Sequence, residues 1–144
     1  MRAITRSYLV ELYFGTIAPG QGAQFTFADY PELKDVYITG VMAVPANYLS
    51  LAPSGRANIT NVNTPGLVLN LLDVNTNIKI YNYPVFDLVP GNSGGFYRDF
   101  VPFRLNLVKS FVTVFQNIGI NANESLCFNF LYIRREDYER GGQR

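Results

Sequence analysis

Apolar and polar residues alternate along most of this chain with a period of two, the rhythm of half-buried strands and not of helices. Tyr8, Val10, Leu12 and Phe14 alternate with Ser7, Leu9, Glu11 and Tyr13, and Phe25 and Phe27 flank Thr26. Val36 to Val44 is rich in β-branched residues and stops at Pro45. Leu67 to Leu72 is a short apolar run, and Ile78 to Tyr83 and Phe103 to Leu107 alternate again. Phe111 to Phe115 has a strong strand preference. Leu126, Phe128, Phe130 and Tyr132 fall on one face of a last strand. Together these segments predict about eight strands.

Turn signals separate them. Pro19-Gly20-Gln21-Gly22, Pro53-Ser54-Gly55, Pro65-Gly66, Pro90-Gly91-Asn92-Ser93-Gly94-Gly95 and Asn117 to Asn123 can each reverse the chain, because glycine and asparagine tolerate positive φ. Asn75-Thr76-Asn77 joins two strand-like runs and predicts a hairpin. Pro84, Pro90 and Pro102 mark edges or bends. Asp29 to Lys34 predicts one helical turn, capped by Asp29 with Pro31 near its start. Arg134 to Arg140 suits either a helix or an extended arm, and Gly141 to Arg144 is expected to fray. There is no repeat and no composition break, so the chain reads as one domain over 1–144, with 134–144 a charged C-terminal tail. The expected fold is all-β: an antiparallel β-sandwich in the form of a single jelly roll. The alternative is an immunoglobulin-like sandwich, whose usual cysteine pair and core tryptophan are missing here.

Composition narrows the function. Apolar residues make up 48% of the chain, enough for a core, and charged residues only 16%, which argues against disorder. The aromatics, 15% of the chain, are all Phe and Tyr and suit pleated surfaces and interfaces. Twelve basic and 11 acidic residues leave a net charge of +1, so no global field draws in nucleic acid. No apolar run approaches the ~20 residues of a membrane-spanning helix. The N-terminal apolar stretch is broken by Glu11 and reads as a strand, not a signal peptide. The triplets Asn58-Ile59-Thr60 and Asn123-Glu124-Ser125 match the glycosylation pattern, which matters only in a secretory context.

Chemistry is limited by what is missing. The chain has no His, so Ser-His-Asp and Cys-His catalysis are impossible. With one Cys, neither a zinc nor an iron–sulfur site can be assembled, and no cofactor is expected. Cys127 lies between Leu126 and Phe128 and reads as a buried, inert thiol. Paired carboxylates could still do acid–base work, but Asp73 with Asp87, or Asp29 with Asp35, has no spacing to recommend it. Asp29, Glu32 and Asp35 lack the dense oxygen alternation of a calcium loop. The chain is therefore expected not to be an enzyme and to have no small-molecule substrate.

What remains is surface. Tyr81, Tyr83 and Phe86 lie close in sequence and form either an assembly rim or a platform for sugars. Phe96, Tyr97, Arg98 and Phe100 combine aromatics with arginine, the composition of interface hot spots. Arg134, Arg135 and Tyr138 sit in a mixed-charge segment that can pair with a neighbouring subunit. The glycine-rich Gly91 to Gly95 is no phosphate loop and reads as a surface or contact loop.

Four segments in order carry a resemblance: Phe25 to Leu33, Leu51 to Arg56, Val108 to Val112 and Phe128 to Tyr132. Together they resemble small structural proteins of bacterial viruses, of the capsid, penton and decoration types. The resemblance implies a virion component with a single jelly roll, made in the host cytoplasm. Its partners would be copies of itself and other capsid proteins. The alternative reading is a carbohydrate-binding or adhesion module.

Overall fold

The computed structural model describes residues 4–60, 62, 66–91 and 98–142. Eight strands form: β1 (Arg6–Gly15), β2 (Ala23–Thr26), β3 (Val36–Val44), β4 (Leu67–Leu72), β5 (Ile78–Pro84), β6 (Arg98–Arg104), β7 (Phe111–Val114) and β8 (Glu124–Arg134). One α-helix among the described residues, α1 (Arg135–Gly142), follows directly. Two four-stranded antiparallel sheets pack face to face, in the orders β1-β8-β3-β6 and β2-β7-β4-β5. The protein is an all-β sandwich.

The pairing is nested. β1 pairs with β8, β2 with β7, β3 with β6, and β4 with β5. In an immunoglobulin-like sandwich the first strand neighbours the second. Here it neighbours the last.

Period two explains the core. Leu126, Phe128 and Phe130 of β8 are fully buried between the sheets, and Tyr132 is nearly so. Val10, Leu12 and Phe14 of β1, Leu67, Leu69 and Leu71 of β4, and Val112 and Val114 of β7 meet them there. Phe27 packs edge-on against Phe128 and Phe130, with centroids 5.8 and 6.3 Å away. Such edge-to-face pairs add about 1 kcal/mol each beyond the area they bury.

Boundaries follow local chemistry. β3 stops at Val44 because Pro45 cannot donate a ladder hydrogen bond. The β4–β5 hairpin is closed by Asp73, whose carboxylate accepts the Asn75 and Asn77 N–H groups at 2.9 Å. Thr76, not an asparagine, takes the left-handed position there, at φ 61°. Gly15 adopts φ 66° where the β1–β8 register shifts. Gly66 is required by space, since a Cβ there would lie 2.7 Å from that of Phe115.

One expectation is corrected and two are narrowed. The turn after Asp29 is a short 3-10 segment (Pro31–Leu33) whose cap position is Tyr30, with no side-chain cap; Asp29 instead pairs with Lys34 at 3.4 Å. β6 begins at Arg98, so Pro102 marks an edge strand as expected but lies inside it and not beside it. The charged segment takes the helical one of its two expected forms from Arg135, and the helix runs on through Gly141 and Gly142, where the glycines predict fraying.

The tyrosine from that 3-10 cap closes one sheet edge. The Tyr30 hydroxyl accepts the Glu11 N–H and donates to the Glu11 carbonyl, both at 3.0 Å. One side chain thus satisfies both backbone groups that the edge strand β1 presents at that residue.

Candidate functional site

The two sheets differ in how their outward sides are finished. The outward side of β1-β8-β3-β6 is covered at both ends by the chain's own segments. At one end the connection after β3 folds back over it. Ala52 packs with Val44 and Cys127, and Leu9, Met42 and Leu49 border them. Asn58 is buried, and its amide donates to the Val44 and Leu49 carbonyls at 2.6 and 2.8 Å. The backbone of Ile59 and Ala57 bonds to Ser125 of β8. Asn58 therefore cannot accept a glycan without this flap opening.

Beneath that flap sits Glu11. Its carboxylate accepts the Ser54 and Ser125 hydroxyls at 2.6 and 2.7 Å and the Ser54 N–H at 3.1 Å. Arg56 approaches to 3.5 Å and lies over the Tyr13 ring, 4.1 Å from its centroid. Burial pushes the Glu11 carboxyl up, but the serine hydrogen bonds and the Arg56 guanidinium outweigh it and hold the group below the usual carboxylate range. Both oxygens of this half-buried acid are engaged, so it ties the flap to β1 and β8. Cys127, opposite Glu11, is pushed up to about 12 by burial and by the neighbouring carboxylate. It is a buried free thiol without nucleophilic character.

At the other end α1 is clamped down. Tyr138 stacks on Tyr37 with centroids 4.1 Å apart. Asp35 accepts Arg104 at 2.8 Å and Arg135 at 3.3 Å, and Arg135 also pairs with Glu139 at 3.2 Å. Burial raises the Asp35 carboxyl, but the two arginines more than reverse this. Burial and the hydrogen bond to Glu139 raise the Tyr37 hydroxyl. Arg135 and Tyr138, singled out in the sequence, therefore serve the fold of their own chain.

The outward side of β2-β7-β4-β5 is finished differently. Of the 4, 6, 7 and 4 residues in β2, β4, β5 and β7, only Lys79 is charged. Gln24 and Thr26 are exposed on β2, Phe111 and Thr113 on β7 and Leu72 on β4 are half-buried, and Val68 and Asn70, of the same parity on β4, are buried, Asn70 being bonded to Asn82. Phe115, just beyond β7, is 58% exposed, and Tyr81 on the edge strand is 71% exposed.

The sequence's tyrosine platform is not assembled. The register runs from Leu69 opposite Tyr83 to Leu71 opposite Ile80, so β5 carries an extra residue, and Asn82 takes φ 45° there. Tyr83 turns inward against the core, and its hydroxyl donates to Asp87. Tyr81 stays outside. A strict alternation puts these tyrosines on one face; the bulge puts them on opposite faces. Phe100 is half-buried against Phe103, and it shares with Ile80 and the 85% exposed Val101 a depression between the β5 and β6 edges. Arg98 opens β6, and Arg134 closes β8 beside the α1 clamp. Phe96 and Tyr97 lie outside the described residues.

Phe86 belongs to a different surface, one the sequence did not indicate. It lies in the short 3-10 segment Val85–Leu88 and lines a depression with Pro45, Ala46, Asn47, Tyr48, Thr60, Val62, Val89 and Pro90. The only available signal for Tyr48 was a connection too apolar for a solvated loop, with Tyr48, Leu49, Leu51 and Ile59 close together.

No family model, curated protein or solved structure matches the chain. Among the described residues no group of three His, Cys, Asp or Glu side chains is placed to hold a metal ion. No described helix is long and apolar enough to cross a membrane.

Proposed function

We propose that the chain is a virion structural protein, a non-catalytic subunit that assembles with copies of itself and with other capsid proteins. The observation that carries this reading is the outward side of β2-β7-β4-β5, where aromatics, amides and hydroxyls are exposed and charge is confined to Lys79. Interface cores are depleted in charge and enriched in aromatic residues. Two copies meeting through such a face bring only their Lys79 groups as like charges, and each is already paired with Asp73 of its own chain at 3.7 Å. The nested strand pairing supports the single jelly-roll form, which viral shell domains and lectins use. That form alone assigns no function. Penton, minor capsid and decoration roles all suit a subunit of this kind, working in the virion after synthesis in the host cytoplasm.

Sedimentation of the purified chain tests the reading. An oligomer of closed symmetry is expected, burying on the order of 2,000 Å² at an obligate interface. Thr113→Lys and Tyr81→Glu should each shift the oligomer toward monomer, with the unfolding midpoint falling along with the lost association. A strictly monomeric chain that also ignores purified shell proteins overturns the proposal.

A further inference from the structure

We infer that the depression between Tyr48 and Phe86 is a binding site for a neutral saccharide. It measures about 560 Å³, within the range of small-ligand sites. Among the described residues its lining contains no charged side chain. The floor is apolar and buried, made by Pro45, Val62, Val89 and Pro90. Two half-exposed aromatics rise from it, Tyr48 at 53% and Phe86 at 48%. Asn47 and Thr60 are exposed at its rim.

This is the set of groups a neutral sugar needs. The C–H face of a pyranose covers an aromatic ring, and its hydroxyls both donate and accept. Asn47 and Thr60 offer donors and acceptors together. An anionic glycan would find no cation to receive it.

The site is also held ready. The Tyr48 hydroxyl donates to the Pro90 carbonyl at 3.2 Å, tying the flap after β3 to the end of the Phe86 segment. The Tyr48 and Leu49 N–H groups both bond the Pro45 carbonyl, and Ala46 bonds Ile59. A ring fixed before binding loses little freedom on binding. The same bond argues against a proline-rich peptide. Such a peptide presents backbone carbonyls to aromatic hydroxyl donors, and the donor of Tyr48 is already engaged with Pro90.

The inference is independent of the assembly proposal, because it concerns a different surface and a different readout. Saturation-transfer NMR on the full chain, with cellobiose, maltose, lactose and chitobiose as probes, tests it. Transfer to at least one of the four is expected, with sulfated heparin disaccharide and a proline-rich decapeptide silent. Phe86→Ser should weaken the responding sugar about tenfold or more, and Tyr81→Ala should leave it unchanged. Tyr48→Phe keeps the ring and separates loss of the Pro90 tie from loss of stacking; binding should be weakened less than by Phe86→Ser. Silence with all four sugars, transfer insensitive to Phe86→Ser, or preference for the peptide overturns the inference.

Discussion

Glu11 stands directly opposite Cys127 in the β1–β8 pair, and the two side chains under the same flap are driven in opposite senses. The acid is kept ionised by Ser54, Ser125 and Arg56, and the thiol is kept protonated by burial and by that ionised acid. One pocket thus holds a charge that is paired and a thiol that stays neutral.

The acid makes stability depend on pH. The folded carboxyl titrates below the unfolded one, so its contribution is complete above the unfolded value of about 4.3 and is lost as pH falls through the lower folded value. Glu11→Gln is expected to lose about 2 kcal/mol at pH 7. Urea midpoints of wild type and Glu11→Gln, measured from pH 7 down to pH 3, should converge on acidification. A constant difference would show that Glu11 acts by shape alone.

The thiol should be silent in the native state. With a pKa of about 12, roughly one thiol in ten thousand is ionised at pH 8, and the flap bars access to it. Alkylation of Cys127 by iodoacetamide should follow unfolding. Asn58→Ala leaves the Val44 and Leu49 carbonyls without their donor and should destabilise by about 3 kcal/mol, while speeding alkylation. Rapid labelling of the folded wild type would contradict the packing described.

The docked helix should come loose alone. Eight residues are too few for a stable isolated helix, so α1 depends on its clamp. Tyr138→Ala removes the stack on Tyr37, worth about 1 kcal/mol. Amide exchange should quicken over 136–142 and stay unchanged in β8. Uniform loss of protection would mean that the helix supports the whole sheet.

Much of this fold is legible in local pattern. The parity of Leu126, Phe128, Phe130 and Tyr132 identifies the buried face of β8, and Pro45 marks where β3 ends. Asn75-Thr76-Asn77 identifies the hairpin, although the positive φ falls on Thr76. The candidate surfaces are less legible. Tyr81 was found as an exposed aromatic, but its pairing with Tyr83 fails because a bulge reverses parity, and a bulge leaves no mark in an apolar–polar string. Phe86 was found with the wrong neighbours. Its companion Tyr48 comes from a connection 38 residues earlier in the chain.

By itself the sequence determined that this is a strand-built chain without histidine, since period, turn residues and composition each act over a few positions. Only the tertiary structure decided which strands are neighbours, that Glu11 is enclosed by Ser54 and Ser125, and that Tyr48 and Phe86 line one depression. The Glu11–Ser125 contact joins residues 114 positions apart. Contacts at that separation form when loop closure is repaid by burial elsewhere, and no local rhythm records them.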